Sequence, residues 1–161
     1  MKQVLHIVEN CDDSYGGPST SIPALIKGHQ LDGRPGEIYS LSWSKNDLSS
    51  TARKLQINVT LFKCYFKKSL NISFALALKL WQKRGSQTIF HVHNLWNLVP
   101  LSVYILAYIT KTNYVVSPRG SLFPWSLSQG KIRKKIAWHL YQKSMLNNAN
   151  FIHVTSESEK K

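Results

Sequence analysis

Gln3-Val4-Leu5-His6-Ile7-Val8, followed by the polar loop Glu9 to Gly17 and then Pro18, is the stretch that decides the fold. A short apolar run bounded by a glycine-containing polar loop reads as a buried strand. Pro18 suits the first turn of a helix, where a missing N–H costs nothing. Ile22, Leu25, Ile26 and His29 follow at helical spacing, and Gly33 closes the segment. The unit is strand, glycine turn, helix.

Outward from that unit the alternation repeats. Strands are expected at Ile38 to Trp43, Asn58 to Phe62, Thr88 to Val92, Asn113 to Ser117 and Phe151 to Val154. Helices are expected at Ile72 to Trp81, Pro100 to Ile109 and Lys131 to Leu146. The pattern predicts an α/β fold: one Rossmann-like parallel sheet of about seven strands flanked by helices, in a single domain. No internal repeat or low-complexity segment interrupts it.

The composition narrows the function classes. Hydrophobic residues make up 43% of the 161, enough for a packed core and too many for disorder. Cys11 and Cys64 have neither metal-ligand nor redox spacing, and read as ordinary thiols in a reducing compartment. No secretory signal is recognisable at the start. The longest apolar stretch, Leu95 to Thr110, is broken by Asn97, Pro100 and Ser102 and falls short of the ~20 residues of a spanning helix. A cytoplasmic protein follows, with a peripheral position at the inner face of the membrane as an extension of that reading.

Charge is distributed unevenly. The formal net charge is +13, and no Asp or Glu occurs between Asp47 and Glu157. The cations between them, Lys67 and Lys68 included, form a field that attracts nucleic acid, anionic lipid or phosphorylated substrates. Nucleic acid is not the expected partner. There is no zinc finger or RNA-recognition signature, and the aromatics sit on helices and loops rather than as a strand-borne stacking ladder.

Ligands of open α/β sheets bind beyond the carboxyl ends of the strands. Three segments at such ends are rich in Gly, Pro, His and Trp. In Tyr15-Gly16-Gly17-Pro18-Ser19, two glycines permit close approach of a ligand, and the helix start offers N–H groups to an anion. In His91-Val92-His93-Asn94-Leu95-Trp96, period-two spacing puts both imidazoles on one face. With no third ligand nearby and Cys64 remote, metal is not expected. His91 is expected inside the sheet and His93 at its mouth. In Ser117-Pro118-Arg119-Gly120, a rigid frame presents a guanidinium able to grip phosphate or carboxylate.

The Lys131 to Leu146 helix has an apolar side of Ile132, Ile136, Leu140 and Tyr141. Lys131, Lys134 and Lys135 project elsewhere, with Trp138 among them. Basic residues around an exposed Trp suit an anionic membrane surface. The alternative is a solvated basic face with Trp138 packed on a neighbouring element.

The glycine-pair turn, H-V-H-N-L-W, S-P-R-G-S-L-F-P-W, K-K-I-A-W-H-L-Y-Q-K and A-N-F-I-H-V-T-S-E-S-E together resemble the amino-terminal domain of glycosyltransferase family 4. The subgroup resembled builds bacterial lipopolysaccharide, capsule or exopolysaccharide. The resemblance implies half of a two-Rossmann (GT-B) enzyme that transfers sugar with retention and without a metal or other cofactor. A nucleotide-sugar would be the co-substrate, and a saccharide or lipid-linked saccharide the acceptor. It implies donor-phosphate or cleft roles for Gly16, Gly17, Pro18 and Ser19. It implies acceptor-side roles for His93, Asn94, Trp96, Arg119 and Gly120. Many members carry a catalytic His where this chain has Arg119, so His93 and Arg119 are the catalytic candidates. Arg119 stays protonated and cannot be a general base.

A donor-binding second domain would begin soon after Glu159, and the sequence stops at Lys161. The expectation is therefore a partner domain supplied elsewhere: a fragment of a longer chain, a gene cut short, or one subunit of a split enzyme. The alternatives are a basic nucleic-acid or membrane-surface module without catalysis, and an inactive remnant.

Overall fold

The computed structural model describes residues 2–42, 48–65 and 71–160. Trp43 at the expected end of the second strand, Asp47, Lys67, Lys68 and Lys161 lie outside the described residues.

Six parallel strands form one sheet: β1 (Gln3–Val8), β2 (Gly36–Ser42), β3 (Val59–Lys63), β4 (Thr88–His93), β5 (Asn113–Ser117) and β6 (Phe151–Ile152). Their spatial order is β3-β2-β1-β4-β5-β6, the doubly wound order of a Rossmann sheet. The count is six among the described residues, where about seven were expected. The helices are α1 (Gly17–Leu31), α2 (Ser50–Lys54), α3 (Phe74–Lys83), α4 (Leu98–Thr110), α5 (Pro124–Ser128), α6 (Lys131–Ala137) and α7 (Lys143–Asn147), with a π-helical turn at Trp138–Gln142 joining the last two.

The caps explain the helix starts. Ser49, Ser73 and Asn97 each accept a hydrogen bond from the first turn of α2, α3 and α4. Lys111 closes α4 in the left-handed conformation.

Strand alternation divides the interior into two layers. Leu5, Ile7, Tyr39, Leu41, Phe90 and Val92 face one side and pack with Leu80, Val99, Val103 and Met145. Val8 and Ile38 face the other and meet Ile22 and Ile26 of α1. Each fully buried Leu or Ile contributes roughly 1.5–3 kcal/mol by leaving water. On the α1 side the central strands carry histidine as well as aliphatic residues: His6 on β1, His91 and His93 on β4, all buried.

The carboxyl-terminal helical run differs from the sequence reading. Ile132, Ile136 and Leu140, its apolar side, are exposed at 78%, 54% and 76%. The docked residues are Gln142, Met145 and Leu146. The Tyr114 hydroxyl donates to the Met145 carbonyl at 2.6 Å and pins α7 beneath the sheet edge. The π turn inserts extra residues per turn, so a face projected at 100° per residue does not carry across it.

Among the described residues no helix is long and apolar enough to cross a membrane.

Candidate functional site

The chain leaves β1 toward β2 and β3, then returns to the opposite side of β1 as β4. The strand order reverses between β1 and β4, and the loops beyond that point diverge into a crevice. Those are the glycine turn after β1 and the Asn94–Asn97 loop after β4. The Pro118–Phe123 loop after β5 lies beside them.

The three loops meet through Arg119. Its Nε donates to His93 Nδ1 at 2.9 Å, and its Nη1 donates to Ser21 Oγ at 2.7 Å, one turn into α1. The Trp96 indole N–H donates to the Ser121 carbonyl at 2.8 Å and ties the second loop to the third. Asn94 N–H donates to Ser117 O at 2.9 Å, extending the β4–β5 ladder one step. Arg119, His153, Thr155 and the residues Gly17, Pro18, Thr20 and Ser21 line one open cleft on this rim.

The backbone here is unusual. Asn94 (φ 67°), Trp96 (φ 70°) and Arg119 (φ 49°) are all left-handed, and Gly120 follows at 75°. Asn tolerates that region, but Trp and Arg enter it at a cost of about 1–3 kcal/mol each. Such strain persists only where surrounding bonds fix it, and it clusters at ligand sites. Gly16 (φ 79°, ψ −142°) occupies a conformation closed to residues with a Cβ. A Cβ on Gly17 would meet nothing within 4 Å, so the backbone there is open to an approaching group.

Below the rim is a buried imidazole network. Because a guanidinium only donates, His93 Nδ1 must accept, and the His93 proton therefore sits on Nε2. That proton is donated to His6 Nδ1, 3.0 Å away. His6 then carries its own proton on Nε2, which is buried with no hydrogen-bond partner among the described residues. His91 Nε2 and Ser117 Oγ are 2.8 Å apart, and Ser117 Oγ and His153 Nδ1 2.9 Å, so one hydroxyl bridges two imidazoles. Burial, reinforced by neighbouring histidines and Arg119, pushes the pKa of His6 and His93 well below the ordinary value. Burial and the coulombic effect of His153 take His91 to about 3. Burial and the Arg119 charge lower the pKa of His153. These rings are neutral at pH 7.

His6, His91 and His93 offer ring nitrogens within 4.8 Å of one another, so the expectation of no third nitrogen near the pair is corrected. They could gather around a divalent ion. Doing so through His93 Nε2 would require that nitrogen to shed its proton and Arg119 to turn away from Nδ1. The hydrogen-bond directions favour a proton-linked network over a coordination shell.

Each expected site residue can now be placed. Gly17 and Pro18 line the rim cleft. Gly16 shapes the turn. Ser19 is buried and its hydroxyl is bonded to Gly16 O at 2.7 Å, so it braces the turn rather than facing a ligand. His93, expected at the mouth, is fully buried, because Arg119 and α1 cover it. Asn94, Trp96, Arg119 and Gly120 sit together on the rim. Trp138 is half-buried, its ring centroid 6.4 Å from that of Trp96, so it is a packed residue rather than an exposed anchor. Lys131 and Lys135 are exposed, and Lys134 is half-buried.

Three participants were missed. His6 and His153 were legible as a recurring apolar-His-aliphatic triplet: Leu5-His6-Ile7, Phe90-His91-Val92 and Ile152-His153-Val154. Parallel pairing sets His6 level with His91. The third is Glu9, at the end of β1. Its carboxylate accepts from the Tyr15 hydroxyl and the Asn97 amide, and burial raises its pKa despite the Tyr15 and Asn71 hydrogen bonds. It faces a second depression with Trp96, Asn97, Arg133 and Tyr141.

The fold and site together define a Rossmann-like α/β domain with a histidine–arginine rim at its topological switch point. Comparison of the chain with protein-family models, curated proteins and solved structures gives no match.

Proposed function

We propose that the chain is the acceptor-side half of a retaining glycosyltransferase of bacterial lipopolysaccharide, capsule or exopolysaccharide biosynthesis. Its acceptor is a saccharide carried on a lipid, and a nucleotide-sugar is the co-substrate held by a separate or additional domain. The observation that carries this reading is the convergence of the Gly16-Gly17 turn, the His93–Asn97 loop and the Arg119 loop on one strained rim of a parallel sheet.

The rim suits a polar, multiply hydroxylated ligand. Arg119 supplies fixed positive charge beside the glycine turn. Trp96 supplies an aromatic edge. Glu9, Asn71 and Asn97 supply hydrogen-bonding groups in the adjoining depression. Neutral histidines beneath orient the rim through hydrogen bonds without adding charge to it. Peripheral attachment to an anionic inner membrane face belongs to the same proposal. It draws on the exposed Ile132, Ile136 and Leu140 beside Lys131, Arg133 and Lys135.

Saturation-transfer NMR on the chain, with lipopolysaccharide core oligosaccharides in one sample and UDP-glucose or GDP-mannose in another, tests the reading. Saturation of the oligosaccharide, reduced by Arg119→Ala, with little effect on either nucleotide-sugar, is expected. Absence of saccharide binding together with salt-sensitive binding to duplex DNA would replace it with a nucleic-acid module.

A further inference from the structure

We propose that the groove between α5 and α6 binds a single lipid phosphate, an isoprenoid or alkyl chain ending in a phosphate. The hydrocarbon lies against Trp96, Leu122, Leu127 and Trp138, and the phosphate is held at Lys134. The inference rests on the reading of a lipid-linked acceptor and assigns that acceptor's lipid end a place.

The groove is a cavity of about 500 Å³, within the size range of pockets that take small ligands. Its floor is built rather than incidental. Trp96 is fixed by its strained backbone and by its bond to Ser121 O. Trp138 is fixed at the π turn, packed against the main core. Leu122 and Leu127 remain 37% and 38% exposed, an uncovered apolar wall in a region otherwise rich in cations.

The rim is cationic. Lys131, Lys134 and Lys135 line the cavity with no carboxylate among its lining residues. Among the described residues the one ion pair is Lys83–Glu37, so these lysines have no ion-pair partner there. Lys134 is the positioned one. Its Nζ donates to Ser126 O at 2.5 Å and to Ser126 Oγ at 3.2 Å, and lies 5.5 Å from the Trp96 ring centroid. Those two bonds use two of its three ammonium hydrogens. The third is available to an anion at the mouth.

Polarity is ordered along the surface. Lys134 and Trp96 also line the neighbouring depression that holds Glu9, Asn97, Arg133 and Tyr141. A ligand with hydrocarbon, phosphate and saccharide in sequence would meet apolar walls, a lysine and hydrogen-bonding groups in the same order. The concavity separates this from surface adsorption. A flat bilayer face cannot enter a groove walled on both sides, whereas one withdrawn chain can.

The test is tryptophan-fluorescence titration of the full chain with monomeric farnesyl phosphate, with farnesol, inorganic phosphate and phosphatidylglycerol vesicles as separate arms. Saturable binding of farnesyl phosphate is expected, with farnesol and inorganic phosphate each weaker by about tenfold or more. Lys134→Gln should weaken it about tenfold and the surface variant Leu127→Asp more, while Lys143→Gln on α7, outside the groove lining, leaves it unchanged. Equal binding of farnesol and farnesyl phosphate would overturn the proposal. So would indifference to both Lys134→Gln and Leu127→Asp, or binding to vesicles alone. Loss of oligosaccharide binding with retained farnesyl phosphate binding would defeat the saccharide reading and leave this site standing. The converse would defeat only this site.

Discussion

The imidazole layer under α1 and the groove under α6 are both polar departures from an aliphatic interior, yet they are built in opposite ways. The first is buried and cross-bonded: four of the six histidines, with Ser117 and Arg119, are held by hydrogen bonds, and those four rings are neutral. The second is open and one-sided: apolar walls face solvent beneath lysines that lack ion-pair partners among the described residues. The lesson is that burial decides what a cation or an imidazole can do. Inside, charge is expelled and only hydrogen-bond direction remains. Outside, charge survives and is free to meet a partner.

The largest effect expected from this contrast is acid sensitivity of the interior. The folded pKa values of His6, His91 and His93 lie below 6.5, so beneath that pH the unfolded chain takes up protons the folded chain refuses. Stability is full above about pH 6.5 and falls as pH drops toward about 3 for His91. For His91 the loss should be about 2 kcal/mol between pH 6.5 and pH 5, and His6 and His93 add to it in the same direction. Urea midpoints across that range check it, and a flat profile would erase the distinction between the two regions. Glu9 acts in the opposite direction, since its raised pKa favours the folded state as pH falls.

Next in size is His93→Ala. It leaves the Arg119 Nε and His6 Nδ1 without partners in a buried setting, at a cost of about 2–4 kcal/mol by chemical denaturation. Smaller again is the backbone contribution at Arg119. Both Arg119→Ala and Arg119→Gly remove the guanidinium, but only glycine relieves φ 49°, so the glycine variant should be the more stable by about 1 kcal/mol. Equal melting temperatures would show that the loop carries no strain. The smallest effect belongs to the groove: Lys135→Gln should change stability by less than about 0.5 kcal/mol, since its head is solvated.

The sheet was legible because its strands are short apolar runs punctuated by Gly, Pro and Asn, and a parallel α/β alternation admits few topologies. The rim was legible for the same reason, since strand ends are where such residues accumulate. What escaped was lateral. Nothing in one strand says which neighbour it pairs with, so His6 stood alone until β1 was set beside β4. Ser19 was misread because a hydroxyl in a glycine turn can face either a ligand or its own backbone. α6 and α7 were read as one helix because a π turn is invisible to a fixed period.

The central physical claim is that Arg119 fixes the proton arrangement of the buried layer. Long-range proton–nitrogen NMR of the imidazoles at pH 7 measures it directly. Wild-type His93 should appear as the Nε2-protonated tautomer with Nδ1 bare, and should lose that single-tautomer signature in Arg119→Ala. A His93 protonated on Nδ1 or on both nitrogens, or one indifferent to the substitution, would contradict the account.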